Sequence, residues 1–200
     1  MTLYKNRDKL RGYSIAMGRL FDFLPANAWT AIALTLSFIT AYFIIAQQFV
    51  IAAATFAISA FLDSVDGAVA RRRHEATLTG AYFDTVADRY MEGVVIISFM
   101  FLPTATFFVP LYVWAGIYLL GSTMTTYVKA AAKEELDMSV KGGILERPER
   151  MIIVFIAIVL LNYNAMHFTY IIAAIAILSN ITALQRIKYA LDLNKKTGKK

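Results

Sequence analysis

Charged and apolar positions fall in long blocks along this chain. Residues 23–62, 93–128 and 151–185 contain no Asp, Glu, Lys or Arg, which gives uncharged runs of 40, 36 and 35 residues. A helix rises about 1.5 Å per residue and a bilayer core is about 30 Å thick, so about 20 residues cross once and each run can cross twice. Each run carries a weakly polar break near its middle: Gln47 and Gln48, Pro103 and Thr104, and Asn162 to Asn164. The pattern predicts six transmembrane helices, near residues 27–46, 49–70, 80–102, 106–131, 148–163 and 166–190.

If each run crosses and returns, the four charged islands, 1–22, 63–92, 129–150 and 186–200, share one side of the membrane. They hold all 20 Lys and Arg, and the positive-inside rule places that side, with both termini, in the cytoplasm. Within the first island Leu10, Tyr13, Met17, Leu20 and Phe21 form a helical apolar stripe, so residues 1–22 are expected to be an interfacial amphipathic helix. Lys5, Arg7, Lys9, Arg11 and Arg19 interrupt any apolar core there, against a cleavable signal. The expected organisation is a single domain over residues 1–200: the interfacial helix, a six-helix bundle at 23–190 and a basic tail at 191–200. It is an all-α integral membrane class.

Composition agrees with this: 58% of residues are hydrophobic, 17% are charged and the mean hydropathy is +0.56. The formal charge of +6 fits contact with anionic lipid headgroups and phosphorylated substrates, and nothing in the chain reads as a nucleic-acid module. With no cysteine, disulfides and thiolate metal sites are excluded.

Against this apolar background, residues 61–88 read FLDSVDGAVARRRHEATLTGAYFDTVAD. At about 100° per residue, Asp63, Asp66, Gly67 and Ala70 share one face of the second helix, while Gly80, Asp84 and Asp88 share one face of the third. Four unpaired aspartates at mid-bilayer would cost about 10 kcal/mol, less near the interface, so a cationic partner is required. Arg71 to Arg73 and Arg89 offer an ion-pair network as one answer. A site for hard divalent cations is the fuller one, because it uses the oxygen ligands and also the glycines, which let a substrate approach the backbone. The one histidine of this run, His74, falls in the basic loop and no Cys is present, which disfavours zinc. A carboxylate-held metal commonly handles phosphates, and a free carboxylate can take a proton from an attacking hydroxyl.

The run D-x2-D-G-x2-A-R-x8-G-x3-D-x3-D, filled by Asp63, Asp66, Gly67, Ala70, Arg71, Gly80, Asp84 and Asp88, resembles the signature of the CDP-alcohol phosphotransferase family. The resemblance implies transfer of a phosphoalcohol group from a CDP-linked alcohol to a second alcohol, with release of CMP. It implies that Asp63, Asp66 and Asp84 are the principal ligands of two Mg²⁺ or Mn²⁺ ions, with Asp88 an additional ligand and the general base. Gly67, Ala70 and Gly80 would then leave room for the cytidine, and Arg71 would face the diphosphate unless the Arg71 to Arg73 triplet only marks topology. Asn27 and Thr30 in NAWT are similar to an N-x-x-T element of the nucleotide pocket, although a helix cap is an equal reading. A homodimer is implied as well.

Acceptor choice must lie elsewhere. KGGILERPER brings Lys141, Arg147 and Arg150 to the start of the fifth helix, Lys129 ends the fourth and Arg186 lies at the matching depth of the sixth. Converging guanidinium groups suit a phosphate-bearing acceptor, and headgroup anchoring is the alternative. The E-R-x-E-R element and the late Q-R are similar to those of the phosphatidylinositol-phosphate and archaetidylinositol-phosphate synthase branch, which implies inositol phosphate as acceptor and a CDP-lipid, CDP-archaeol or CDP-diacylglycerol, as donor. Where that branch often has an arginine, this chain has Ala130 to Ala132. Serine or glycerol phosphate as acceptor, CDP-inositol as a donor for di-inositol phosphate, and a divalent cation transporter are the competing readings. The expected setting is the cell membrane, with the active site at its cytoplasmic face.

Overall fold

The computed structural model describes residues 16–73, 77–103, 106–140 and 142–197. Six helices follow in order: α1 (Ala26–Ile45), α2 (Phe49–Arg73), α3 (Leu78–Phe99), α4 (Leu111–Leu136), α5 (Arg147–Leu160) and α6 (Ala165–Thr197). Residues 16–20 are also helical. Residues 1–15 of the expected interfacial helix, and Lys141, lie outside the described residues, while residues 21 and 22 are in a turn. Among the described residues there is no strand, only an isolated bridge between Phe107 and Val109. Among the described residues three helices, α1, α2 and α6 over Ala165–Lys195, are long and apolar enough to cross a membrane. They are interrupted where the polar breaks predicted: Gln47 turns the chain between α1 and α2 with φ of 57°, and residues 161–163 form the turn before α6.

Several boundaries differ from the sequence expectation, most of all in α4, which ends at Leu136 instead of 131, and in α6. Helix α4 starts at Leu111 instead of 106, because Phe108 has φ of 56° and Pro110 caps the helix. Phe107 and Val109 bond each other's backbone across that turn, and the Trp114 indole donates to the Phe107 carbonyl at 2.8 Å. At the other end α6 runs to Thr197, well into the expected tail.

The chain divides into two units. The first comprises residues 1–40 and 54–94, hence most of α1, α2 and α3. Its core is Trp29, Ala33, Leu62, Val65, Val69, Ala87 and Met91, contributed by all three helices. Polar ties stitch α1 to α2: Ser59 donates to the Ala33 carbonyl at 2.7 Å and Thr40 to the Thr55 hydroxyl at 3.0 Å. Gly18 lies so close to α2 that a Cβ there would meet the Ala68 carbonyl oxygen at 2.7 Å. Trp29 is a packing residue, since its ring sits edge-on to Phe21 and Phe23 and its N–H reaches the Phe21 carbonyl at 3.0 Å.

The second unit comprises residues 41–53 and 95–200. In it α4 and α5 pack against α6. The Asn180 amide of α6 donates to the Ile117 carbonyl of α4 at 2.9 Å, and Gly121 supplies the close approach. The loop ahead of α5 is pinned to α6: Leu145 N–H donates to Thr182 Oγ1 and Ile144 N–H to Gln185 Oε1, both at 3.2 Å. Glu146 and Glu149 form a capping box with Pro148 in the first turn, which stops the loop and starts α5.

Candidate active site

Everything in the signature run falls within the first unit. Asp63 and Asp66 lie about one turn apart on α2, and Asp84 and Asp88 lie one turn apart on α3. Carboxylate oxygens of Asp63, Asp66 and Asp84 come within 4.8 Å of one another. Asp66 is buried at 5% exposure and its Oδ2 accepts a 2.6 Å hydrogen bond from Thr30 of α1. A three-oxygen set without nitrogen or sulfur donors fits a hard divalent cation of the Mg²⁺ or Mn²⁺ type. Asp88 lies one turn beyond Asp84, about 6 Å further along α3. Its Oδ2 lies 3.7 Å from Arg89 Nη2, and its Oδ1 is sealed from solvent.

Beside the trio is a cavity of about 290 Å³, lined by Asn27 and Thr30 of α1, Asp66, Gly67, Ala70 and Arg71 of α2, and Thr77, Gly80 and Asp84 around the start of α3. All six expected nucleotide-pocket residues therefore line one space. Gly67 shapes it, because an added Cβ would meet Arg71 Nη1 at 3.2 Å, so the guanidinium folds over the glycine. At Gly80 a Cβ would stand 3.1 Å from Thr77 Oγ1 and 3.5 Å from Asn27 Oδ1. Thr77 caps α3 by accepting the Gly80 N–H at 3.0 Å. Sequence reasoning passed over Thr77, although a threonine directly before a helix is a recognisable cap. Thr30 is no simple cap, since its hydroxyl orients Asp66.

The arginine triplet is sorted by its azimuth on α2. Arg71 lines the cavity, whereas Arg72 and Arg73 turn away to Asp22, with Nε atoms 3.1 and 2.7 Å from its carboxylate oxygens. Arg73 also reaches the Asp22 backbone carbonyl. The hydrogen bond from Arg73 holds the Asp22 carboxyl below its usual value near 3.8 against desolvation, with the charges of Arg72 and Arg73 helping. Asp22 had no signal in the sequence.

In the second unit, Arg147 and Arg150 occupy the first turn of α5. Arg150 is 1% exposed and its Nη1 lies 3.4 Å from the Leu145 carbonyl. Arg186 donates from Nε to the Gly142 carbonyl at 2.8 Å and from Nη1 to the Thr125 carbonyl at 2.7 Å. The three arginines thus gather around residues 142–150, with Arg186 holding the loop in place. Lys129 is exposed on α4.

An acidic oxygen cluster on the neighbouring helices α2 and α3, opening on a cavity with a guanidinium at its edge, is suited to a divalent cation and an anionic substrate. The family model described as CDP-alcohol phosphatidyltransferase matches residues 23–182, and the chain belongs to that family. It is an integral membrane enzyme that transfers substituted phosphate groups. Among its relatives, the archaetidylinositol phosphate synthase of Methanothermobacter thermautotrophicus is 40% identical over 141 residues, 68% of either chain. The enzyme of the same name from Pyrococcus horikoshii is 30% identical over 164 residues, 82% of either chain. Crystal structures of the Mycobacterium tuberculosis phosphatidylinositol phosphate synthase superpose as well. The form with CDP-DAG bound has a TM-score of 0.77 at 26% identity, covering 88% of this chain and 92% of that one. The complex with manganese and citrate has a TM-score of 0.78 at 27% identity, covering 89% and 88%.

Proposed function

We propose that this enzyme transfers the phosphoalcohol group of a CDP-linked lipid, CDP-archaeol or CDP-diacylglycerol, to a hydroxyl of inositol phosphate, releasing CMP. The carboxylate trio beside the cavity carries the reading, because donor chemistry of this kind needs a cation site directly against a nucleotide pocket. The names of the relatives support the acceptor, and the manganese complex of the mycobacterial enzyme supports the metal.

Asp63, Asp66 and Asp84 would hold two Mg²⁺ or Mn²⁺ ions, with Asp88 as a further ligand. Such ions, when bound, supply positive charge to the diphosphate and to the departing CMP. Asn27, Thr30, Gly67, Ala70 and Gly80 would form the walls around the cytidine, and Arg71 would bind the diphosphate from the cavity edge. The acceptor hydroxyl attacks the phosphorus that bears the lipid alcohol. A new P–O bond forms, the bond from that phosphorus to the bridging oxygen breaks, CMP leaves with the electron pair, and Asp88 takes the hydroxyl proton. Arg147, Arg150 and Arg186, with Lys129 and Lys141, would bind the acceptor's phosphate. We place the site at the cytoplasmic face of the cell membrane and the enzyme in a homodimer, with six spans in one domain.

The test is CMP release by purified enzyme from each donor, with inositol phosphate, serine or glycerol phosphate as acceptor. Inositol phosphate should be required, and chelation of divalent ions should abolish release. Faster release with serine or glycerol phosphate, or release of CMP from CDP-inositol alone, overturns the assignment of acceptor or donor.

A further inference from the structure

One buried acidic residue near the site has no part in the chemistry above. Glu92 of α3 is 4% exposed, one turn deeper than Asp88 on the same face of the helix. A carboxylate so enclosed in an apolar helix bundle demands a cationic partner. Arg89 provides one, with Nη1 3.1 Å from Glu92 Oε2, while Nη2 of the same guanidinium stands 3.7 Å from Asp88 Oδ2. The fork therefore lies between two carboxylates and is drawn to the deeper one.

We propose that Glu92 is a positioning residue that acts through Arg89: by holding the guanidinium, it keeps Arg89 from closing a direct charge-assisted hydrogen bond on Asp88. A carboxylate engaged by an arginine fork at the usual 2.7–2.9 Å or so has its lone pairs occupied and its orientation fixed. A group that must receive a proton from an incoming hydroxyl needs those lone pairs. The inference rests on the reading of Asp88 as general base. It assigns Glu92 no contact with either substrate.

The experiment compares E92Q, R89Q and the double variant R89Q/E92Q with the parent enzyme. Turnover is normalised to folded protein, the KM of each substrate is measured, and Mn²⁺ affinity is followed by isothermal titration. A mere buried ion pair would make both single variants fail alike, since each strands one charge. Holding Arg89 off Asp88 predicts an asymmetry instead. E92Q frees Arg89 to seize Asp88, so kcat should fall about tenfold or more while both KM values stay within about twofold. R89Q and the double variant should keep kcat within about threefold of the parent, even where R89Q melts at lower temperature. Mn²⁺ affinity of E92Q should fall by no more than about tenfold, because only the further ligand Asp88 is engaged and Asp63, Asp66 and Asp84 are untouched, and kcat is therefore read at saturating Mn²⁺. Parental kcat in E92Q, an R89Q loss as large as that of E92Q, or a large fall in Mn²⁺ affinity overturns the proposal. If E92Q does not fold, E92D replaces it: the shorter acid should give an intermediate loss, and parental kcat there is equally fatal. D88N is run in parallel, where full turnover would sink the base assignment itself whatever Glu92 does.

Discussion

Replacing Gly67 by alanine should push stability and donor binding in opposite directions. Gly67 lies inside α2, where alanine is favoured over glycine by about 0.8–1.0 kcal/mol. The new methyl would meet only the end of the flexible Arg71 side chain, at 3.2 Å, and a shift of a few tenths of an ångström relieves that contact. A net gain of roughly 0.5–1 kcal/mol remains, which raises the melting temperature by about 1–4 °C for a chain of this size. That same shift moves the guanidinium at the edge of the cavity, and the methyl occupies part of its wall. A displaced hydrogen bond from a charged donor is worth about 1.5–3 kcal/mol, so the donor KM should rise by about 10-fold to 100-fold. Thermal scans in detergent and CMP release against donor concentration read the two effects from one preparation. A stabilised variant with an unchanged donor KM would show that the Gly67–Arg71 face does not hold the nucleotide. Loss of several degrees would show instead that Arg71 against Gly67 supports the fold.

Thr30→Val keeps the shape but removes the donor to Asp66 Oδ2, so Mn²⁺ affinity should drop by about 10-fold to 100-fold in a titration, with little change in helix content. Asp22→Asn should lower the melting temperature at neutral pH. Because the folded carboxyl is held below its usual value near 3.8, its pairing with Arg72 and Arg73 contributes above that value and disappears as pH falls through the folded value. The gap between parent and variant should therefore close only below about pH 4, and a gap independent of pH would refute the ion-pair account. Gly143→Ala places a side chain at φ of 126°, against the Thr182 methyl. It should cost about 1–3 kcal/mol by thermal denaturation, and a neutral result would mean that the loop adjusts freely.

Helix positions were legible because the signal is coarse: an uncharged run of 40 residues with Gln47 and Gln48 at its centre has few ways to fold in a bilayer. The start of α4 was not, since the left-handed turn at Phe108 is set by packing among Phe107, Trp114 and Tyr170 and not by any glycine. Spacing alone put Asp63, Asp66 and Asp84 on facing stripes, and their oxygens do meet. Asp88 shares the stripe one turn further along α3, and its neighbour Arg89, whose Nη2 lies 3.7 Å from Asp88 Oδ2, carried no signal of that contact in the spacing. Partners distant in sequence stayed hidden. Nothing local to Asp22 points to Arg73, fifty-one residues on, and nothing local to Gly142 points to Arg186.

The division of labour within Arg71, Arg72 and Arg73 depends on a rotation of about 100° between neighbours. Deletion of one residue between Asp66 and Arg71 would leave charge unchanged and hydropathy nearly so, yet it would swing Arg72 to the cavity and unhook it from Asp22, whereas an insertion would put Ala70 at the cavity edge. Length between these landmarks is thus constrained in its own right, apart from the demands on Gly67 and Ala70. An evolving sequence can exchange the buried Val69 for an apolar residue of similar size more safely than it can gain or lose a single peptide unit there.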